Sequence, residues 1–449
     1  LYLEEEMKFQ KILVLTLSLL LFAAFPVHAA SIDLDIQKTV MDNGLTILTC
    51  EDHSVRTVSY QTFMNVGSRD EAKPGITGLA HVFEHMMFRG TEKYPDYDEA
   101  LGHFGPETNA YTGEDRTVYF VNVKAEYLEK VIEVEADRVR NLIFNEQTFR
   151  TELGPVKEER RMGEVEHPDG FLWSEFTQIA YKKHTYGHSV IGFEEDLEKN
   201  IQVEDGLEFK RTFYSPGYAT IVVAGNFDTP KVMEWIKKYY GDWEKQPPQD
   251  IPIPVEPPQT EERMKDYVWK DNLINPKLII GYHGPEFDIM SDDFCALNLI
   301  GEILFLKSGR LTKRLDTDLQ MVDYIYGRME GHKDPGLFTV STNLKKGKSI
   351  QEVKDIIFEE IDRLTREKVS EEELTKAKNS VKASVFYRLN RPFSVGSLIG
   401  SYHVLGEDHN LIFQIEDRYD SITPEIIQQA AEKTFRPTNR TVVSLVPKG

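Results

Sequence analysis

VSYQTFMNVGSRDEAKPGITGLAHVFEHMMFRGT, residues 58–91, contains a strand, a loop and a helix in succession. VSYQTFMNV (58–66) alternates apolar and polar side chains as a strand does. SRDEAKPGITG has the Pro and Gly of a loop. LAHVFEHMMF (79–88) reads as a buried helix closed by Gly90. The same order returns later in the chain. PKLIIGYHG (276–284) is strand-like, PEFDIMSDD is an acidic loop, and FCALNLIGEILF (294–305) is again an apolar helix. The repeat indicates an internal duplication whose second copy lacks the histidines.

Between the two copies lies EKQPPQDIPIPVEPPQTEER (244–263), where six prolines prevent helix and ladder hydrogen bonding and favour an extended connector. It separates residues 32–243 from residues 264–449. Further elements fall on either side. RTVYFVNV (116–123) is a strand candidate that runs into an amphipathic helix from about 126 to 143. Ser370 and Glu373 form a capping box ahead of a helix with Leu374, Ala377, Val381 and Val385 on one side. The expected fold class is α+β: two homologous α/β sandwich domains joined by the Pro-rich linker.

The composition, 40% hydrophobic and 28% charged over 449 residues, is that of a globular chain. KFQKILVLTLSLLLFAAFPVHAA (8–30) has the basic start, apolar run and small-residue exit of a secretory signal peptide cleaved after Ala29. Residues 1–29 are therefore expected to be a signal peptide with a spurious extension, LYLEEE, before Met7. The mature protein is expected to be exported, periplasmic or secreted, without stable membrane insertion. The net charge is −21; removing residues 1–29, with Glu4, Glu5 and Glu6 against Lys8 and Lys11, leaves −20. Such a surface makes nucleic acid a poor partner, and it either steers basic peptides to the protein or serves only as a solvated face that keeps an exported chain in solution. Cys50 and Cys295 have no paired spacing and read as buried thiols.

The chemistry concentrates in His81-Val82-Phe83-Glu84-His85. Residues four apart share a helical face, so His81 and His85 can reach one metal ion with Glu84 alongside. The order H-x-x-E-H is the inverted form of the zinc-protease signature. The alternative is a pair of core histidines against a buried Glu, which would need a full set of hydrogen-bond partners. A catalytic zinc needs a third protein ligand and an open position. Carboxylates for it cluster in TELGPVKEERR (151–161), which offers Glu152, Glu158 and Glu159.

The chain here resembles the pitrilysin-like (insulinase, M16) family of metallopeptidases. The stretches that carry the resemblance are DNGLTIL (42–48), GLAHVFEHMMFRGT (78–91), TNAYTGEDRTVYF (108–120), ELGPVKEERR (152–161), FYSPGYATIVVAGNF (213–227) and SGRLTKRL (308–315). The resemblance implies a LuxS/M16-like metallopeptidase fold and one Zn2+ per chain, held by His81, His85 and Glu159. It implies Glu84 as the general base of peptide hydrolysis and Glu152, seven residues before the third ligand, as a support for the metal site. Glu158 is the runner-up ligand. Gly154-Pro155 is expected to kink or break a helix between Glu152 and Glu159, which puts the supporting role in question. Substrate, a peptide or unfolded polypeptide, is expected to add as a strand at Asn109 and Ala110. The family completes its site with an Arg and a Tyr from a second module. Tyr324 is the candidate Tyr, whereas Asp316 stands where the Arg is expected. A homodimer or a heterodimer with a second subunit of the same type is therefore implied, and a non-catalytic scaffold or a peptide-binding subunit is the alternative.

Overall fold

The computed structural model describes residues 32–247, 249, 251–270 and 273–448. The expected signal peptide lies outside them, and no helix of the described residues is long and apolar enough to cross a membrane. The first sheet has six strands: β1 (Ile36–Val40), β2 (Thr46–Glu51), β3 (Thr57–Met64), β4 (Glu107–Thr112), β5 (Thr117–Lys124) and β6 (Ala219–Gly225), in the order β1-β2-β6-β3-β5-β4. The second has β7 (Arg263–Val268), β8 (Lys277–His283), β9 (Val322–Met329), β10 (Leu337–Leu344) and β11 (Arg440–Val446), in the order β7-β11-β8-β10-β9. Apart from β1 the two orders coincide, strand for strand. Each sheet has one parallel pair, β2 with β6 and β7 with β11, and is otherwise antiparallel. The duplication read from the sequence is thus a repeat of topology.

Helices cover both faces of each sheet. The principal ones are α1 (Leu79–Met86), α2 (Leu128–Asn141), α3 (Glu146–Arg160), α4 (Pro168–Ala180), α5 (Asp292–Phe305), α6 (Ile350–Arg366), α7 (Glu371–Arg388), α8 (Pro392–Gly406) and α9 (Pro424–Thr434). From Val58 onward every residue of β3 is buried, so its alternation does not mark a wet face. Tyr60 and Met64 join the core beneath α1, with Leu79, Val82 and Phe83. Gln61 and Phe63 point the other way. Gln61 Nε2 donates to Phe393 O at 2.7 Å, and a Cβ on Gly400 would lie 2.2 Å from the Phe63 ring.

That second cover is α8, which comes from the other half of the chain. The exchange is reciprocal: α4 lies on the second sheet, with Leu172 and Phe176 in one cluster with Val443 and Leu445. A Cβ on Gly281 of β8 would come within 2.4 Å of Phe176. The proline-rich segment therefore divides the strands between the halves but not the helices. Its described residues carry no helix or strand up to β7, which begins at Arg263. Its Glu256 carboxylate pins it by accepting from the backbone N–H groups of Lys182, Lys183 and His184 at 2.9, 2.7 and 3.1 Å.

The turns after β4 and β9 meet across the halves. His332 Nδ1 lies 3.0 Å from Asp115 Oδ2, and Asp334 accepts from Arg69 Nε at 2.5 Å beside His184 Nε2 at 3.1 Å. Cys50 and Cys295 are free, buried thiols.

Candidate metal centre and catalytic site

α1 begins without a local cap. Gly78 stands at its N-terminus with φ 91°, and a Cβ there would lie 2.4 Å from the Ile191 carbonyl oxygen, so both conformation and space call for glycine. The first N–H groups are satisfied by Glu71, a fully buried carboxylate that accepts from Gly78 N and Ala80 N at 2.7 Å each. Leu79, Ala80, Val82, Phe83 and Met86 anchor the apolar face. His81, Glu84 and His85 are left on the other, towards α3 and β4.

α3 runs unbroken from Glu146 to Arg160, with Pro155 inside it, so the expected kink or break is not found. The reason is its setting. Thr151, Gly154 and Pro155 are exposed, so the Thr151 carbonyl that loses its helical donor to the proline faces water. Phe149, Glu152, Leu153 and Val156 point inward. Glu152 and Glu159, seven residues apart, lie two turns from each other on nearly the same side. Beyond Arg160 the chain widens into a π-helical turn, Arg161–Val165.

His81, His85 and Glu159 offer ligand atoms that all lie within 4.8 Å of one another. Glu159 Oε2 is 3.7 Å from His81 Nε2 and 3.3 Å from His85 Nε2. Tetrahedral zinc with bonds of about 2.0–2.1 Å separates its ligand atoms by roughly 3.3 Å, so the donor set fits that ion. Burial holds the His81 imidazole down at about 4 against the opposing pull of Glu159, which leaves it neutral with its lone pair available. His81 Nδ1 is buried with no hydrogen-bond partner among the described residues. Behind the cluster, Glu152 Oε2 lies 3.7 Å from His85 Nδ1, and the same carboxylate is ion-paired with Arg89.

Glu84 is raised by burial, an effect opposed by a hydrogen bond from Thr112 Oγ1 to its Oε2 at 2.7 Å. One carboxylate oxygen is thereby oriented and the other is left for chemistry. Glu71, Arg89 and Thr112 are contacts that sequence reasoning missed. Thr112 belongs to the quoted TNAYT stretch, but nothing in its spacing points to Glu84.

Asn109 and Ala110 sit on β4, which pairs only with β5 and is an edge of its sheet. Asn109 Oδ1 accepts from Ala110 N at 2.9 Å. Glu158 faces solvent and is engaged by Arg161, with Nε to Oε2 at 2.8 Å. Tyr324 belongs to the second sheet and not to the helices that carry the metal cluster. It lies on β9, the edge of the second sheet, with its ring stacked on Tyr326 at 6.0 Å and Asp169 nearby. Asp316 falls in the π-helical turn Lys313–Asp318, where Arg314 is committed to Glu359 and Glu360 at 2.7 and 2.9 Å.

The family model for insulinase (peptidase family M16) matches residues 46–193, and the model for the peptidase M16 inactive domain matches residues 200–381. The chain belongs to the M16 family of peptidases. It is similar to the zinc protease PqqE of Helicobacter pylori, 26% identical over 443 residues that cover 98% of this chain and 99% of that one. It is also similar to a probable mitochondrial-processing peptidase subunit beta of Arabidopsis thaliana, 24% identical over 411 residues covering 88% and 75%. Among solved structures, a protease from Helicobacter pylori superimposes with a TM-score of 0.87 at 26% identity, covering 92% of this chain and all of that one.

Proposed function

We propose that this chain is an exported zinc-dependent endopeptidase or oligopeptidase, with His81, His85 and Glu159 as metal ligands and Glu84 as general base. The observation that carries the reading is the convergence of two imidazoles and one carboxylate from α1 and α3 beside the oriented Glu84. A zinc ion bound there supplies a Lewis acid that polarises the scissile carbonyl and acidifies the attacking water. Glu84 takes the proton from that water and delivers it to the leaving amine. Thr112 holds Glu84 in place through both transfers. Glu152, backed by Arg89, orients His85. The free edge of β4 at Asn109 and Ala110 receives the peptide as an added strand, so main-chain pairing provides affinity and side-chain pockets provide specificity.

The placement of Tyr324 on the second sheet supports a partner chain, identical or related, that closes the site. Residues 8–30 support export. The test is hydrolysis of a mixed peptide pool by the mature chain, run beside Glu84→Gln and a chelator-treated sample. Cleavage lost in both controls is the expected result. Cleavage that persists in Glu84→Gln with zinc bound would remove Glu84 from its role. Zinc binding without cleavage, even with a partner subunit added, would favour the peptide-binding or scaffold alternative.

A further inference from the structure

Beside the turn that joins β4 to β5, the surface forms an open cavity of about 500 Å3. Three arginines reach its wall: Arg116 just before β5, Arg328 on β9 and Arg388 at the end of α7. Several arginines elsewhere in this acidic chain are answered, as Arg138 is by Glu135, Arg310 by Glu373 and Arg418 by Asp292. Among the described residues no carboxylate lies within 4.0 Å of Arg116, Arg328 or Arg388. Arg116 Nε is buried and without a partner. Two carboxylates share the wall. Glu330 is already 3.6 Å from His332, which leaves Glu114 as the one acid facing three guanidiniums. The rest of the lining includes Trp173, Phe287 and Tyr402. Three guanidiniums on one wall outnumber the carboxylates beside them, and their planar donor forks match a further carboxylate.

The cavity is tied to the catalytic site through the hairpin. Thr112, which holds Glu84, is opposite Thr117, and the next step of the ladder is Gly113 N donating to Arg116 O at 2.9 Å. On β5, Tyr119 and Val121 join the core beneath α1, so Arg116, Val118 and Phe120 face the α8 side. A peptide laid along the free edge of β4 alternates its side chains between the same two faces. At about 3.3 Å per residue, its continuation past Thr112 reaches the cavity within a few residues.

We propose that this cavity binds a carboxylate of the peptide substrate, the C-terminal carboxylate or an Asp or Glu side chain, as an anionic anchor a few residues from the bond cleaved. The inference rests on the peptidase reading and adds to it a selection rule opposite to the chain's overall charge. The experiment uses the Glu84→Gln protein, full-length mature chain with zinc, so that binding is measured without turnover. The probes are a neutral ten-residue peptide amide, the same peptide as the free acid, and amides with a single Glu or Gln scanned along it. Affinity is followed by calorimetry in low and high salt. The expected result is an affinity gain of about tenfold for the free acid or for Glu at one or two positions, falling with salt. The acid-versus-amide arm and the Glu-versus-Gln arm identify which source supplies the carboxylate. Arg116→Gln with Arg388→Gln should erase the gain while the neutral peptide binds as before. Arg328→Gln alone, on an exposed side chain, should reduce it. Equal affinity for charged and neutral peptides, including none for either, overturns the site, as does a preference that survives the double variant. A carboxylate preference in a parent chain that cleaves nothing even with a partner subunit added would overturn the peptidase reading and leave the site standing.

Discussion

The two sheets share one strand order, yet the helices that follow β3 and β8 are built differently. α5 buries nine residues, among them Phe294, Leu297, Ile300 and Leu304, and is capped locally by Ser291, whose side chain accepts from Phe294 N. α1 carries His81, Glu84 and His85 on one face and takes its cap from Glu71, a buried residue outside the helix. The helix without chemistry is stabilised by its own sequence neighbours. The helix proposed to carry the chemistry presents polar groups at the sheet edge and relies on side chains outside it, Glu71 and Thr112, to stay in place. The duplicated fold is thus a scaffold that is stable without a metal site, and the site is an addition to one copy.

The largest effect that would break this contrast is at Glu84. Glu84→Gln should lower kcat by at least about 10²-fold, the scale of a lost general base, while the metal content measured by atomic absorption stays at one zinc per chain. At the proposed third ligand, Glu159→Gln should lose the metal on dialysis, whereas Glu158→Gln, one residue away and engaged by Arg161, should keep both metal and activity. Equal losses in the two variants would reverse the assignment.

A smaller effect is expected behind the metal. Glu152→Gln or Arg89→Met should weaken zinc affinity by about 10- to 100-fold, measured by competition with a chelator, with the fold unchanged. The exchanged helices give the sharpest structural contrast. Gly400→Ala, against Phe63, and Gly281→Ala, against Phe176, should each cost about 1–3 kcal/mol in urea unfolding without altering metal content.

The smallest effect is a pH dependence at the contact between the halves. Burial opposes the charge on His332, but the hydrogen bond with Asp115 and the nearby Glu330 carboxylate outweigh it and hold the imidazole up at about 10. A raised folded-state value means that this stabilisation is complete below the ordinary histidine value near 6.5 and is lost as pH rises through about 10. Thermal stability should decline across that window, and His332→Gln should flatten the decline.

Much of this was legible before the structure. Alternation and helical periodicity are local signals, so β3, α1, β8 and α5 could be read from residues 58–91 and 276–305, and so could the shared face of His81, Glu84 and His85. Family resemblance extended that reading to Glu159. The unbroken course of α3 past Pro155 was not legible, because it depends on which side of the helix faces water. Nor was the crossing of α4 and α8 between the halves, since an apolar helix carries no mark of which sheet it will cover. Glu71 caps α1 from the loop just before it, a contact no spacing rule marks, while Thr112 holding Glu84 and the arginines of the hairpin cavity join residues far apart in the chain. Sequence by itself determined the elements, their repetition and the half of the site that lies on one helix. Tertiary structure decided what orients that site and what faces it, because those contacts are set by packing between distant segments and leave no period in the chain.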